Sequence, residues 1–83
     1  MSELVHFKGV IDGISRDRRA AVVKLDQSVE DVDFAIVTPD TEGRLELMNG
    51  RGAFKLGEKV GGEGRLGPDA IIASMVHTLE PAH

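Results

Sequence analysis

The chain opens on strict alternation. Over residues 4–14, Val5, Phe7, Gly9 and Ile11 fall on one side, and His6, Lys8, Val10 and Asp12 on the other. A period of two with β-branched residues marks a strand that buries one face. Gly9 and Gly13 within it predict a bend or bulge of the kind barrel strands need at corners. Residues 15–19, Ser-Arg-Asp-Arg-Arg, read as a polar hairpin loop. A second strand is expected over 20–26, with Ala21, Val23 and Leu25 facing inward. Residues 26–31 break the apolar pattern and read as an acidic connection. A third strand over 32–38 stops at Pro39, which has no N–H to give a ladder.

Asp40-Thr41-Glu42-Gly43 reads as a turn, and residues 44–56 as an irregular segment. Within it Arg44-Leu45-Glu46-Leu47 alternates briefly, Asn49-Gly50 is a turn signal, and 53–56 suits either a short strand or one helical turn. A fourth strand runs from about Glu58 to Leu66. Gly67-Pro68-Asp69 then turns the chain into a last strand over 70–79, which Pro81 ends. Ile71, Ile72, Met75, Val76 and Leu79 also fit helical spacing. Strand is the expectation, because the segment pairs with 58–66 across a short turn and closes a barrel. With its edges closed, so small a sheet exposes no sticky strand.

The fold class expected is therefore all-β, a five-stranded closed barrel in one domain, residues 1–83, with the irregular segment between strands 3 and 4. The order of elements is that of an oligonucleotide-binding (OB) barrel. Leu56-Gly57-Glu58-Lys59-Val60, Gly67-Pro68-Asp69 and Ala73-Ser74-Met75-Val76 resemble the end of the cold-shock domain, a relative of the S1 RNA-binding domain. Lys8-Gly9-Val10-Ile11 looks like that family's first strand. The resemblance implies a cold-shock-like barrel that touches nucleic acid. The family stacks bases on aromatics of strands two and three; the matching stretches here, 20–24 and 33–37, hold only Phe34.

Composition narrows the chemistry. There is no cysteine, so neither disulfides nor thiolate metal sites are available. No apolar run reaches the roughly 18–20 residues that span a bilayer, and Met1-Ser2-Glu3-Leu4 has no leader pattern, so the expectation is cytoplasmic, with no membrane association. The net charge of −4 is unevenly placed. Residues 1–24 carry five basic and three acidic side chains, 25–42 six acidic and no basic ones, and 43–83 five of each.

The basic residues supply the candidate surface. In OB barrels the ligand face lies on strands two and three, between the first-to-second and fourth-to-fifth loops. Those loops bring Arg16, Arg18 and Arg19 from one side and Arg65 from the other, with Lys8 and Lys24 between them. Guanidinium forks match phosphate oxygens, so this rim is expected to hold single-stranded RNA or DNA weakly and without base preference. The alternative is a barrel that docks a protein partner, or a second copy of itself, without nucleic acid.

Other constellations are weaker. Asp26, Glu30, Asp31 and Asp33 lack calcium-loop spacing and read as a solvated connection. His6, His77 and His83 are the only imidazoles, and they meet only if distant strands bring them together, so no metal and no cofactor is expected. Ser15, Ser28 and Ser74 have no neighbouring His motif, and Gly61-Gly62-Glu63-Gly64 is followed by no Lys-Ser/Thr. The chain is expected to be non-enzymatic.

Overall fold

The computed structural model describes residues 4–17, 19–43 and 55–80. Five strands, β1 (Leu4–Ile14), β2 (Ala21–Val29), β3 (Val32–Val37), β4 (Lys59–Leu66) and β5 (Ile71–Glu80), close into a barrel in the order β1-β2-β3-β5-β4. All neighbours are antiparallel except β3 and β5, which run parallel. This is the all-β, OB-like barrel expected from the alternation. The segment 44–54, the heart of the irregular excursion, lies outside the described residues, as does Arg18.

Inward residues of every strand make one core. Phe7, Ile11, Val23, Ala35, Val37, Val60, Ile71 and Val76 are all buried. Each fully buried aliphatic side chain contributes about 1.5–3 kcal/mol relative to exposure, so a barrel poor in aromatics can still hold together. β1 pairs with β2 through its second half and with β4 through its first, and Gly9 and Val10 have partners on both sides. At that crossing Gly9 has no room for a side chain: a Cβ would stand 2.2 Å from the Lys24 carbonyl oxygen. The predicted bulge appears where register slips between Ile11 and Gly13.

Two boundaries differ from expectation. β2 continues past the acidic residues to Val29, because Glu30 and Asp31 make a tight two-residue reversal with φ of 51° and 67° that pairs Val29 with Val32. β5 is a strand, and its helix-like spacing comes from irregular register. Between Glu63↔Met75 and Gly64↔Ala73 the extra residue Ser74 is inserted, so the inward positions shift from Ile71 and Ala73 to Val76. Among the described residues no helix is long and apolar enough to cross a membrane.

Candidate functional site

The turn after β1 is organised round an anion. The Ser15 hydroxyl donates to the Asp17 carboxylate at 2.6 Å, and the Arg19 backbone N–H donates to the same oxygen at 3.0 Å. The Ala20 N–H donates to Ser15 Oγ, closing the loop on itself. The Ser15 hydrogen bond, then that from the Arg19 backbone, hold the Asp17 carboxyl below its usual range. A carboxylate therefore sits at the centre of the supposed cationic turn. Arg16 and Arg19 are exposed on its rim.

The remaining basic residues are dispersed round the barrel. Lys24 stands opposite Val10 and Phe34, and Lys8, two residues before Val10, is its diagonal neighbour. Arg65 is opposite Leu4, at the start of β1, whereas the 15–20 turn follows the end of β1 at Ile14. Traced the other way, through Ile72, Ile36 and Val22, Arg65 is three strand spacings from the start of β2, roughly 14 Å along the surface. The two loops are not side by side. The outer face between them is aliphatic, with Val22 and Ile72 exposed, and its aromatic is Phe34, itself 38% exposed.

A different face gathers donor chemistry. Outward rungs cross β1, β4 and β5: His6 faces Glu63, which faces Met75, and Lys8 faces Gly61, which faces His77. His6 and His77 thus lie on strands that are not neighbours; β4 separates them, and the Leu79 side chain lies against the outward side of Gly61. His6 Nδ1 is 4.0 Å from Glu63 Oε2. His6, Lys8, Asp26, Gln27, His77 and Leu79 border an open cleft of about 520 Å³. Among the described residues no three His, Asp or Glu side chains converge on one point as they stand.

The donor chemistry is specific. His6, Met75 and His77 are the only imidazoles and thioether among the described residues, and all three share this face. Met75 and His77 are two apart on β5, and Glu63 is beside Met75, about 5 Å away by backbone. Imidazole and thioether suit copper-like ions, and carboxylate adds a harder ligand. From sequence, His6 and His77 meet only if the first and last strands are neighbours; β4 lies between those strands, and register across 70 residues is not a local signal.

No family model matches the sequence, and no curated protein does. Solved structures of CusF share the fold. CusF with Ag(I) from Escherichia coli superposes with a TM-score of 0.63, at 15% identity over 95% of each chain. A tryptophan-to-alanine variant of it with Cu(II) gives 0.62, at 16% identity over 94% of each chain. The apo form gives 0.60, at 13% identity over 96% of this chain and 92% of that one.

These matches correct the functional expectation. The nucleic-acid reading of Lys8, Arg16, Arg18, Arg19, Lys24 and Arg65, with RNA or DNA as partner, is overturned: the chains that share this barrel end to end were solved around Ag(I) and Cu(II). The protein-docking or self-associating alternative does not match that chemistry either. The physical reason is visible in the dispersed charges and aliphatic face described above. The cytoplasmic expectation falls with the same matches; it rested on missing cysteines and a missing leader pattern, neither of which is specific to that compartment. The cold-shock likeness reduces to the five-stranded barrel.

Proposed function

We propose that this chain is a non-catalytic barrel that carries a copper- or silver-class metal ion on the outer face of β1, β4 and β5. One observation carries the reading: register puts His6, Met75 and His77, the described imidazole and thioether donors, on one outer face across β1, β4 and β5. The shared fold with CusF, solved with Ag(I) and Cu(II), supports the same class of cargo. The donor set fits such an ion, which prefers nitrogen and sulfur ligands to the all-oxygen cages of calcium or magnesium. Without a thiolate the ion is held reversibly, as suits a carrier more than a permanent structural centre. The cold-shock resemblance, on this reading, is one of architecture alone.

The test is chemical-shift mapping of the full chain during titration with silver nitrate. Backbone amides of His6, Glu63, Met75 and His77 should shift together and saturate at one ion per chain. Those of Arg16, Lys24 and Phe34, on other faces, should not. Shifts confined to the latter set, or none at all, would refute the assignment.

A further inference from the structure

We infer, independently of any metal ion, that residues 38–43 form a latch, a self-bonded turn that seals the β3–β5 seam and opens as a unit while the rest of the barrel stays folded. Among the described residues, Ala35 and Ile36 are the β3 positions paired with β5, opposite Ile71 and Ile72. By contrast, β1 is paired with β4 from Leu4 to Val10. β3 ends at Val37, since Pro39 offers no N–H to continue a ladder. Residues 38–41 then bond to themselves. The Thr41 N–H donates to the Thr38 carbonyl at 3.1 Å, the Asp40 N–H to Thr38 Oγ1 at 3.2 Å, and the Thr38 N–H to Thr41 Oγ1 at 2.9 Å. A turn that satisfies its own backbone can leave β5 without losing its shape.

A short set of bonds ties this turn to the barrel wall. Thr41 is buried, and its hydroxyl donates to the Ala73 carbonyl at 2.9 Å. The Glu42 N–H donates to the Ser74 carbonyl at 2.9 Å, and the Val76 N–H donates to the Glu42 carbonyl at 2.9 Å. Together they make a parallel bridge beside Met75. Gly43 follows with φ of 79°, and a Cβ there would stand 2.2 Å from the Val76 carbonyl oxygen. Glycine permits that approach and also has the backbone freedom a hinge needs. None of these bonds belongs to the β1–β2, β1–β4 or β4–β5 ladders, so releasing them leaves those pairings intact. Release frees the Ala73 and Ser74 carbonyls and the Val76 N–H at once, and opens the wall beside the buried Ala73 and Val76. Ser74 is the extra residue of β5, so the latch also pins that bulge. Units held by so few bonds are the ones that open below the free energy of global unfolding.

The experiment is native-state amide hydrogen exchange of the full chain, followed by NMR over a series of low urea concentrations. The Glu42 and Val76 amides, bonded across the latch, should share one protection factor, at least about tenfold below those of the β1–β2 ladder and with little dependence on urea. Ile11→Val, a truncation in the core on β1, destabilises the latched and unlatched barrels alike. It should accelerate exchange in the β1–β2 ladder roughly 2- to 12-fold and leave Glu42 and Val76 unchanged. Thr41→Val removes the hydroxyl and leaves the Thr38 N–H and the Ala73 carbonyl unpaired, so it should accelerate Glu42 and Val76 about tenfold. The latch is overturned if Glu42 and Val76 exchange with the ladder, at its urea slope, and respond to Ile11→Val as the ladder does. Unrelated rates at the two amides, or rates untouched by Thr41→Val, overturn it as well.

Discussion

Replacing Gly62 by alanine should open the seam between β4 and β5. Gly62 faces inward opposite Val76, and a Cβ built there stands 2.0 Å from the Met75 carbonyl oxygen and 2.9 Å from its carbon. Ordinary carbon–oxygen approach in a sheet is about 3.3 Å, so the shortfall exceeds an ångström. Both atoms belong to backbone, so no rotamer change relieves the contact. Overpacking of this kind costs about 1–3 kcal/mol, and the immobility of the partner puts Gly62→Ala at the upper end. A domain of this size has about 5–10 kcal/mol in total. A loss of about 3 kcal/mol corresponds to a fall in Tm of roughly 12–24 °C. The control is one residue away. A Cβ on Gly61 meets the flexible end of Leu79 at 3.2 Å and the Phe7 carbonyl oxygen at 3.3 Å, contacts that small shifts absorb. Alanine also removes the entropic penalty of glycine in a strand, about 0.5–1 kcal/mol by analogy with helices. Calorimetric melts of the two variants decide the matter. Equal Tm values for Gly61→Ala and Gly62→Ala would refute the close-approach argument.

Two further outcomes concern charge. Glu58 is 7% exposed, and burial pushes its carboxyl above the usual range, against a hydrogen bond from the Lys55 backbone and the Lys55 charge, which pull the other way. A raised folded value means that stability is fully present below about pH 4.3 and is lost as pH rises through the folded value. Glu58→Gln should therefore raise Tm at pH 7 and make no difference below about pH 4, as melts at the two pH values will show. Asp17 runs the other way: its lowered value gives stability present above about pH 4 and lost as pH falls through the folded value. A carboxyl-detected NMR titration should find Asp17 below the ordinary range in the native chain and shifted upward in Ser15→Ala.

The fold was legible wherever burial alternates without interruption. β1 carries its pattern over eleven residues, and its boundaries follow from sequence. β2 was cut short at Asp26 because charged residues on an exposed hairpin end look like a loop. The reversal that closes it uses Glu30 and Asp31 at positive φ, where Asn-Gly would have announced a hairpin. β5 imitated a helix because Ser74 interrupts its alternation. The arginine rim illustrates the limit more sharply. Charge in a loop can be read from sequence, but whether two loops meet depends on the shear of the barrel. Here the register that seals the sheet places Arg65 against Leu4. The histidine pair failed for the complementary reason: its members are joined by a strand that belongs to neither.

That strand links architecture to chemistry. On β4 the inward glycines Gly62 and Gly64 are required by the approach of β5, whose carbonyl oxygens occupy the space their side chains would need. The outward glycine, Gly61, is covered by the Leu79 side chain, which a Cβ there would meet at 3.2 Å, with the Phe7 carbonyl oxygen at 3.3 Å. A branched residue there would have to displace Leu79, so glycine lets β5 close over β4 on the outer side as Gly62 and Gly64 do on the inner side. Close packing on both faces of β4 fixes the spacing at which the register sets His6, Glu63, Met75 and His77 across the sheet.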